Sequence, residues 1–123
     1  MPTIPPFMLK QLYQRGSLRN SETGWEFTMR NHLASATLVG LSLTCDGAEI
    51  PPQALTVAQP TLDRVVPAAG LSAESPLQFP VQTPTVVRVA GPPLSPGSHA
   101  LAITADTREI GPVTIAMQDD VAG

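Results

Sequence analysis

Short runs of alternating apolar and polar residues, each closed by proline or glycine, constrain this chain more than any other feature. The clearest is WEFTMRN, where Trp25, Phe27 and Met29 fall on one face and Glu26, Thr28 and Arg30 on the other. A period of two marks a half-buried strand, because successive side chains of a strand point to opposite faces. ATLVGLSLTCDG repeats the pattern with Val39, Leu41, Leu43 and Cys45 aligned, and its Asp46-Gly47 end is a two-residue hairpin turn of the primed type. Further strands are expected in ALTVAQ (54–59), TVVRVAG (85–91), HALAITADTREIG (99–111) and PVTIAMQDD (112–120). PLQFPV reads as a short edge strand because proline stands at both ends. MLKQLYQRG is expected to begin a strand with Leu9, Gln11 and Tyr13 on one face, and residues 60–76 stay open between a strand, a helical turn and a loop. MPTIPPF, with three prolines, is expected to be an extended arm over residues 1–7.

No segment carries a long helical stripe. The reading is therefore an all-β fold: one domain over 1–123, an antiparallel β-sandwich or barrel-like sandwich of about 7–9 short strands. Such scaffolds serve enzymes, binding modules and structural subunits alike, so function has to be sought in the residues.

Charged residues make up only 14% of the chain, against about 25% in an ordinary soluble domain. So low a share fits a chain that gives much of its surface to a partner. The net charge is −3 and the seven Lys and Arg are scattered, which argues against a nucleic-acid partner and against a basic membrane-surface signal. No apolar run reaches the roughly 18 residues a membrane-spanning helix needs. The single cysteine excludes an internal disulfide and points to a reducing, cytoplasmic location.

A search for chemistry returns little. His32 and His99 are far apart, no HxH, HExxH or CxxC spacing occurs, and both imidazoles are expected at turns or on the surface. Cys45, on the face of the strongest strand, reads as a buried inert thiol. No serine lies in a nucleophile elbow, and Asp119-Asp120, Glu22 with Glu26, and Asp106 with Glu109 read as solvated carboxylates. The richest group of interaction-prone side chains is Tyr13, Arg15, Arg19, Trp25 and Arg30, of types enriched at the energetic centres of interfaces. Trp25 as a core anchor and Trp25 as part of a docking surface both remain open.

The run LKQLYQRGSLRNSETGWEFTMRNHLASATLVGLSLTCDGAEIPP, residues 9–52, resembles the start of the small β subunit of bacterial C-glycoside deglycosidases. Lys10, Leu12, Tyr13, Gly16, Ser17, Leu18, Asn20, Gly24, Trp25, Phe27, Met29 and Asn31 carry the likeness, followed by Asp46-Gly47 and Pro51-Pro52. Trp25 stands where that pattern more usually has Phe. Segments 76–80, 86–103 and 109–121 resemble the same family's closing strands, so the likeness runs through nearly the whole chain. It implies an accessory, non-catalytic subunit of a lyase. A TIM-barrel α subunit would be the partner in a hetero-oligomer, and it would hold a divalent metal, usually manganese, with this chain binding no cofactor or metal. The substrate would be a 3-oxo-C-glucoside, whose carbon–carbon glycosidic bond breaks by elimination after a base removes the C2 proton. This chain would stabilise the α subunit and help close its site, with Phe7, Tyr13, Arg15, Arg19 and Trp25 as contacts at the partner or active-site rim and none of them catalytic.

Two other readings stand beside it. One is a stand-alone sandwich module that binds a carbohydrate or a protein, which an exposed aromatic platform would favour. The other is a free-standing enzyme with a composite site, which a metal held by His32 or His99 would favour.

Overall fold

The computed structural model describes residues 6–121, and among these ten strands form two antiparallel sheets that close on a shared apolar core. In chain order they are β1 (Arg19–Asn20), β2 (Gly24–Arg30), β3 (Ala36–Cys45), β4 (Ala48–Glu49), β5 (Leu55–Gln59), β6 (Arg64–Pro67), β7 (Leu77–Phe79), β8 (Pro84–Ala90), β9 (Gly97–Thr107) and β10 (Gly111–Val121). One sheet runs β1-β2-β8-β5-β6. The other runs β10-β9-β3-β4, with β7 paired to the first residues of β3. The all-β antiparallel sandwich expected from the sequence is thus what the chain adopts. The strand count exceeds seven to nine because β1 and β4 are two residues each, too short for a period of two to show.

Trp25, Phe27 and Met29 of β2 all face the core, as their alternation requires. Asp46 and Gly47 form the predicted turn, both with positive φ (53° and 83°), between the paired residues Cys45 and Ala48. β3 departs from simple alternation. Leu38 pairs with Thr107 and Gly40 with Asp106, so Val39 is an extra residue, a β-bulge. Ahead of the bulge Leu38 is buried; beyond it the inward residues are Leu41, Leu43 and Cys45, and Val39 leaves the core face on which it was expected.

Three further expectations are corrected. MLKQLYQRG does not start a strand: Pro6–Leu9 make one turn of α-helix (α1) and Lys10–Leu12 a 3-10 turn, burying Leu9, Leu12 and Tyr13. Pro6 occupies the first helical position, where its missing N–H costs nothing and its fixed φ suits the helix. Of the extended arm expected over 1–7, residues 1–5 lie outside the described residues, and Pro6 and Phe7 belong to the helical turn. Asp119 and Asp120 are part of β10 rather than of a solvated tail. Residues 60–70 resolve into both alternatives: 3-10 turns at Pro60–Leu62 and Ala68–Gly70 flank β6.

Candidate functional site

The two ends of the sandwich differ in chemistry. At one end, where β2 runs out at Arg30, the sheets part around an apolar cleft of about 290 Å³. Leu12, Met29, Leu38, Val57, Phe79 and Ile115 make its floor and walls. It reaches the surface between residues 33–36 and 110–113, where Leu33, Ala36, Ile110 and Val113 are half-buried and Ala34 and Ser35 exposed. Leu41 and Ala105 are likewise only partly covered.

Two polar groups frame this mouth. Asn31 is 2% exposed; its Nδ2 donates to the carbonyls of Ala34 (2.6 Å) and Phe79 (3.0 Å), and its Oδ1 accepts from the Leu33 amide (3.0 Å). It pins the 31–36 loop to the end of β7. On the other side Glu109, in the turn before β10, accepts from the Thr37 amide (2.9 Å) and the Thr37 hydroxyl (2.8 Å). The amide first, then the hydroxyl, holds the Glu109 carboxyl below its ordinary pKa. Asn31 spends its polar atoms on backbone groups and Glu109 on the amide and hydroxyl of Thr37, so the cleft they border stays apolar.

The opposite end is closed by hydrogen bonds. The Asn20 side chain donates to the Leu94 carbonyl (2.9 Å) and accepts from the Leu94 amide (2.8 Å). Nearby, Cys45, Asp46 and His99 bring a thiol, a carboxylate oxygen and a ring nitrogen within 4.8 Å of one another. His99 Nδ1 lies 2.6 Å from Asp46 Oδ2, and its Nε2 lies 2.7 Å from the Ser95 carbonyl oxygen. The Ser95 carbonyl, and after it Asp46, raise the His99 pKa; the His99 bond and then the Ala100 amide lower that of Asp46. Burial pushes the Cys45 thiol up to about 11, with Asp46 adding to the effect. His99 is therefore not the surface or turn group expected of it. The expectation that this chain binds no cofactor or metal is also overturned, because these three residues are a potential metal-ligating set. His32 is exposed and its Nδ1 lies 3.3 Å from Gln82 Nε2.

The residues chosen as rim contacts are not gathered at the cleft mouth. Trp25 (3% exposed) and Tyr13 (7%) are core residues, with Phe27 between them. The Tyr13 hydroxyl donates to Asp119 Oδ2 at 2.7 Å, where the Gly16 amide also donates at 2.9 Å. Arg15 and Arg19 are exposed; Arg19 pairs with Glu26 at 3.0 Å on the cross-strand neighbour of β1. The Phe7 side chain lies outside the described residues. Glu109 and Asp119, which read as solvated carboxylates, are instead tied to Thr37 and to Tyr13 and Gly16, partners far along the chain, and Asn31 reaches Phe79 as well as its own loop.

The chain is thus a two-sheet sandwich with an apolar cleft open at one end. The chain belongs to the hydroxymethylglutaryl-CoA reductase N-terminal domain family, which matches residues 8–122. No curated protein matches the sequence. The family match overturns the resemblance to a C-glycoside deglycosidase β subunit, and with it the lyase role, the TIM-barrel α subunit, the 3-oxo-C-glucoside and the manganese. The physical reason is plain in the fold. Leu12, Tyr13, Leu18, Trp25, Phe27 and Met29, which carried the likeness, are core residues, and Gly16 (φ 85°) sits in a turn. They report how a sandwich of this kind begins, not what chemistry it serves.

Proposed function

We infer that this chain, as one domain over 1–123, is a protein-binding β-sandwich module that seats an apolar segment of its partner in the open end between the sheets. The observation that carries this is the cleft: about 290 Å³, apolar along its length, and open where Leu33, Ile110 and Val113 are half-buried. Contiguous apolar surface reaching solvent marks a place where another protein sits. A carbohydrate is poorly served, because the aromatic side chains that the structure describes, Tyr13, Trp25, Phe27 and Phe79, are all buried and leave no platform for a sugar ring. The family takes its name from the N-terminal domain of hydroxymethylglutaryl-CoA reductase, and the partner we infer is a reductase catalytic domain of that kind.

Arg15 and Arg19, exposed toward the other end of the molecule, are retained as outlying polar contacts. No helix among the described residues is long and apolar enough to cross a membrane. A cytoplasmic setting is supported by the free thiol of Cys45.

The test is to mix the chain with a purified hydroxymethylglutaryl-CoA reductase catalytic domain and measure the mass of the mixture by size exclusion with light scattering. A stoichiometric complex is expected, and Val113→Asp, whose own melting curve serves as the folding control, should weaken it at least about tenfold. No complex, or one that Val113→Asp leaves intact, contradicts the reading.

A further inference from the structure

Neighbouring residues on a strand point to opposite faces, yet Cys45 Sγ and Asp46 Oδ2 lie 3.8 Å apart. The turn makes this possible: Asp46, at φ 53°, has left the extended conformation and swings its carboxylate back over the end of β3. His99, near the start of β9, supplies the third group, with Nδ1 at 2.6 Å from the same carboxylate oxygen. The ring is held from behind, since Nε2 contacts the Ser95 carbonyl oxygen at 2.7 Å and so carries the N–H. Nδ1 is thereby turned toward the thiol and the carboxylate. A ring N–H on a backbone carbonyl is the outer support found behind imidazoles that ligate metals. Asp46 is supported likewise, its Oδ1 accepting from the Ala100 amide at 2.8 Å.

The geometry points to a zinc site built from Cys45 Sγ, Asp46 Oδ2 and His99 Nδ1, with water as the fourth ligand. Sulfur, nitrogen and oxygen donors in a tetrahedral set suit this borderline-soft ion, whereas magnesium and calcium take oxygen alone. Thiolate and carboxylate together balance its two charges. The ion takes the place of the proton between Nδ1 and Oδ2 and of the thiol proton, and both are released. Ligand atoms on zinc stand about 3.3 Å apart, so the 2.6 Å contact has to open. Asp46 can supply that movement, because its side chain is 51% exposed on a two-residue turn. Filled, the site ties the β3–β4 turn to the start of β9 and clamps the end of the sandwich away from the cleft.

The experiment uses the whole chain, freed of metal with a chelator and titrated with cobalt(II) as the coloured stand-in and with zinc(II). A thiolate-to-cobalt charge-transfer band and tetrahedral cobalt bands should grow to one equivalent and vanish when zinc is added. Zinc should also raise the melting temperature. Cys45→Ser should abolish the charge-transfer band and weaken zinc binding at least about tenfold, as loss of a ligand costs no less than loss of its support. His99→Gln should do the same. Because that variant also loses two internal hydrogen bonds, the cobalt spectrum of the unaltered chain is read independently of it. Absence of the thiolate band in the unaltered chain, or zinc binding by Cys45→Ser as tight as that of the parent, overturns the site.

Discussion

At the scale of single residues, the buried polar side chains are the ones whose loss the fold feels most. Asn31 satisfies two carbonyls and one amide from a site 2% exposed, so Asn31→Leu strands the buried Phe79 carbonyl and strips the part-buried Ala34 carbonyl and Leu33 amide of their partner. The expected cost is about 2–3 kcal/mol, read from the shift of a urea melt at constant slope. Tyr13 and Asp119 give a pH signature. Burial, followed by the Asp119 carboxylate, raises the Tyr13 pKa well above its ordinary 10.0. Burial pushes Asp119 up, but the bonds from the Tyr13 hydroxyl and then from backbone amides outweigh it and leave the carboxyl below its ordinary 3.8. A lowered carboxyl pKa contributes stability above 3.8 that is lost as pH falls through the folded value. A raised phenol pKa contributes stability that is whole below 10.0 and lost as pH climbs past it. Stability attributable to the pair should thus be flat from about pH 4 to about pH 10 and fall on both sides. In melts across this range, Tyr13→Phe should remove the alkaline loss and blunt the acid one; an unchanged profile would count against the pair.

At the scale of elements, the backbone turns are as decisive as the strands. Gly47, at φ 83°, completes the two-residue turn between β3 and β4, and Gly47→Val should cost about 1–2 kcal/mol through its left-handed backbone. Gly24 opens β2, and a Cβ there would lie 1.9 Å from the Val89 carbonyl oxygen on β8. Gly24→Ala should therefore push the two strands apart and cost about 1–3 kcal/mol, measured by thermal or urea melting. These elements also show what the sequence discloses. Alternation located β2, β5, β8, β9 and β10, and Asp46-Gly47 located its turn, because strand period and turn chemistry are local. The bulge at Val39 was hidden: it is defined by the partner strand β9, which lies some sixty residues further on. The helical turn at Pro6–Leu9 was hidden for the opposite reason, since one turn is too short for a helical period to appear.

At the scale of the whole molecule, the contrast is between an end locked by hydrogen bonds and an end left apolar. Asn20 with Leu94, and His99 with Asp46 and Ser95, fasten one end, while the cleft opens at the other beside Asn31 and Glu109. None of this was legible along the chain, because the cleft draws on residues from Leu9 to Ile115 and the Cys45–Asp46–His99 group on two distant strands. The low share of charged residues signals a surface kept for a partner but does not say where on the molecule that surface lies. Docking at the cleft mouth is read from a map of backbone amide shifts, recorded on the labelled chain as a hydroxymethylglutaryl-CoA reductase catalytic domain is added. The largest changes should fall at residues 33–36, 41, 105, 110, 111 and 113, around the cleft mouth. Changes confined to the closed end, or to the outer faces of the sheets, would contradict docking there.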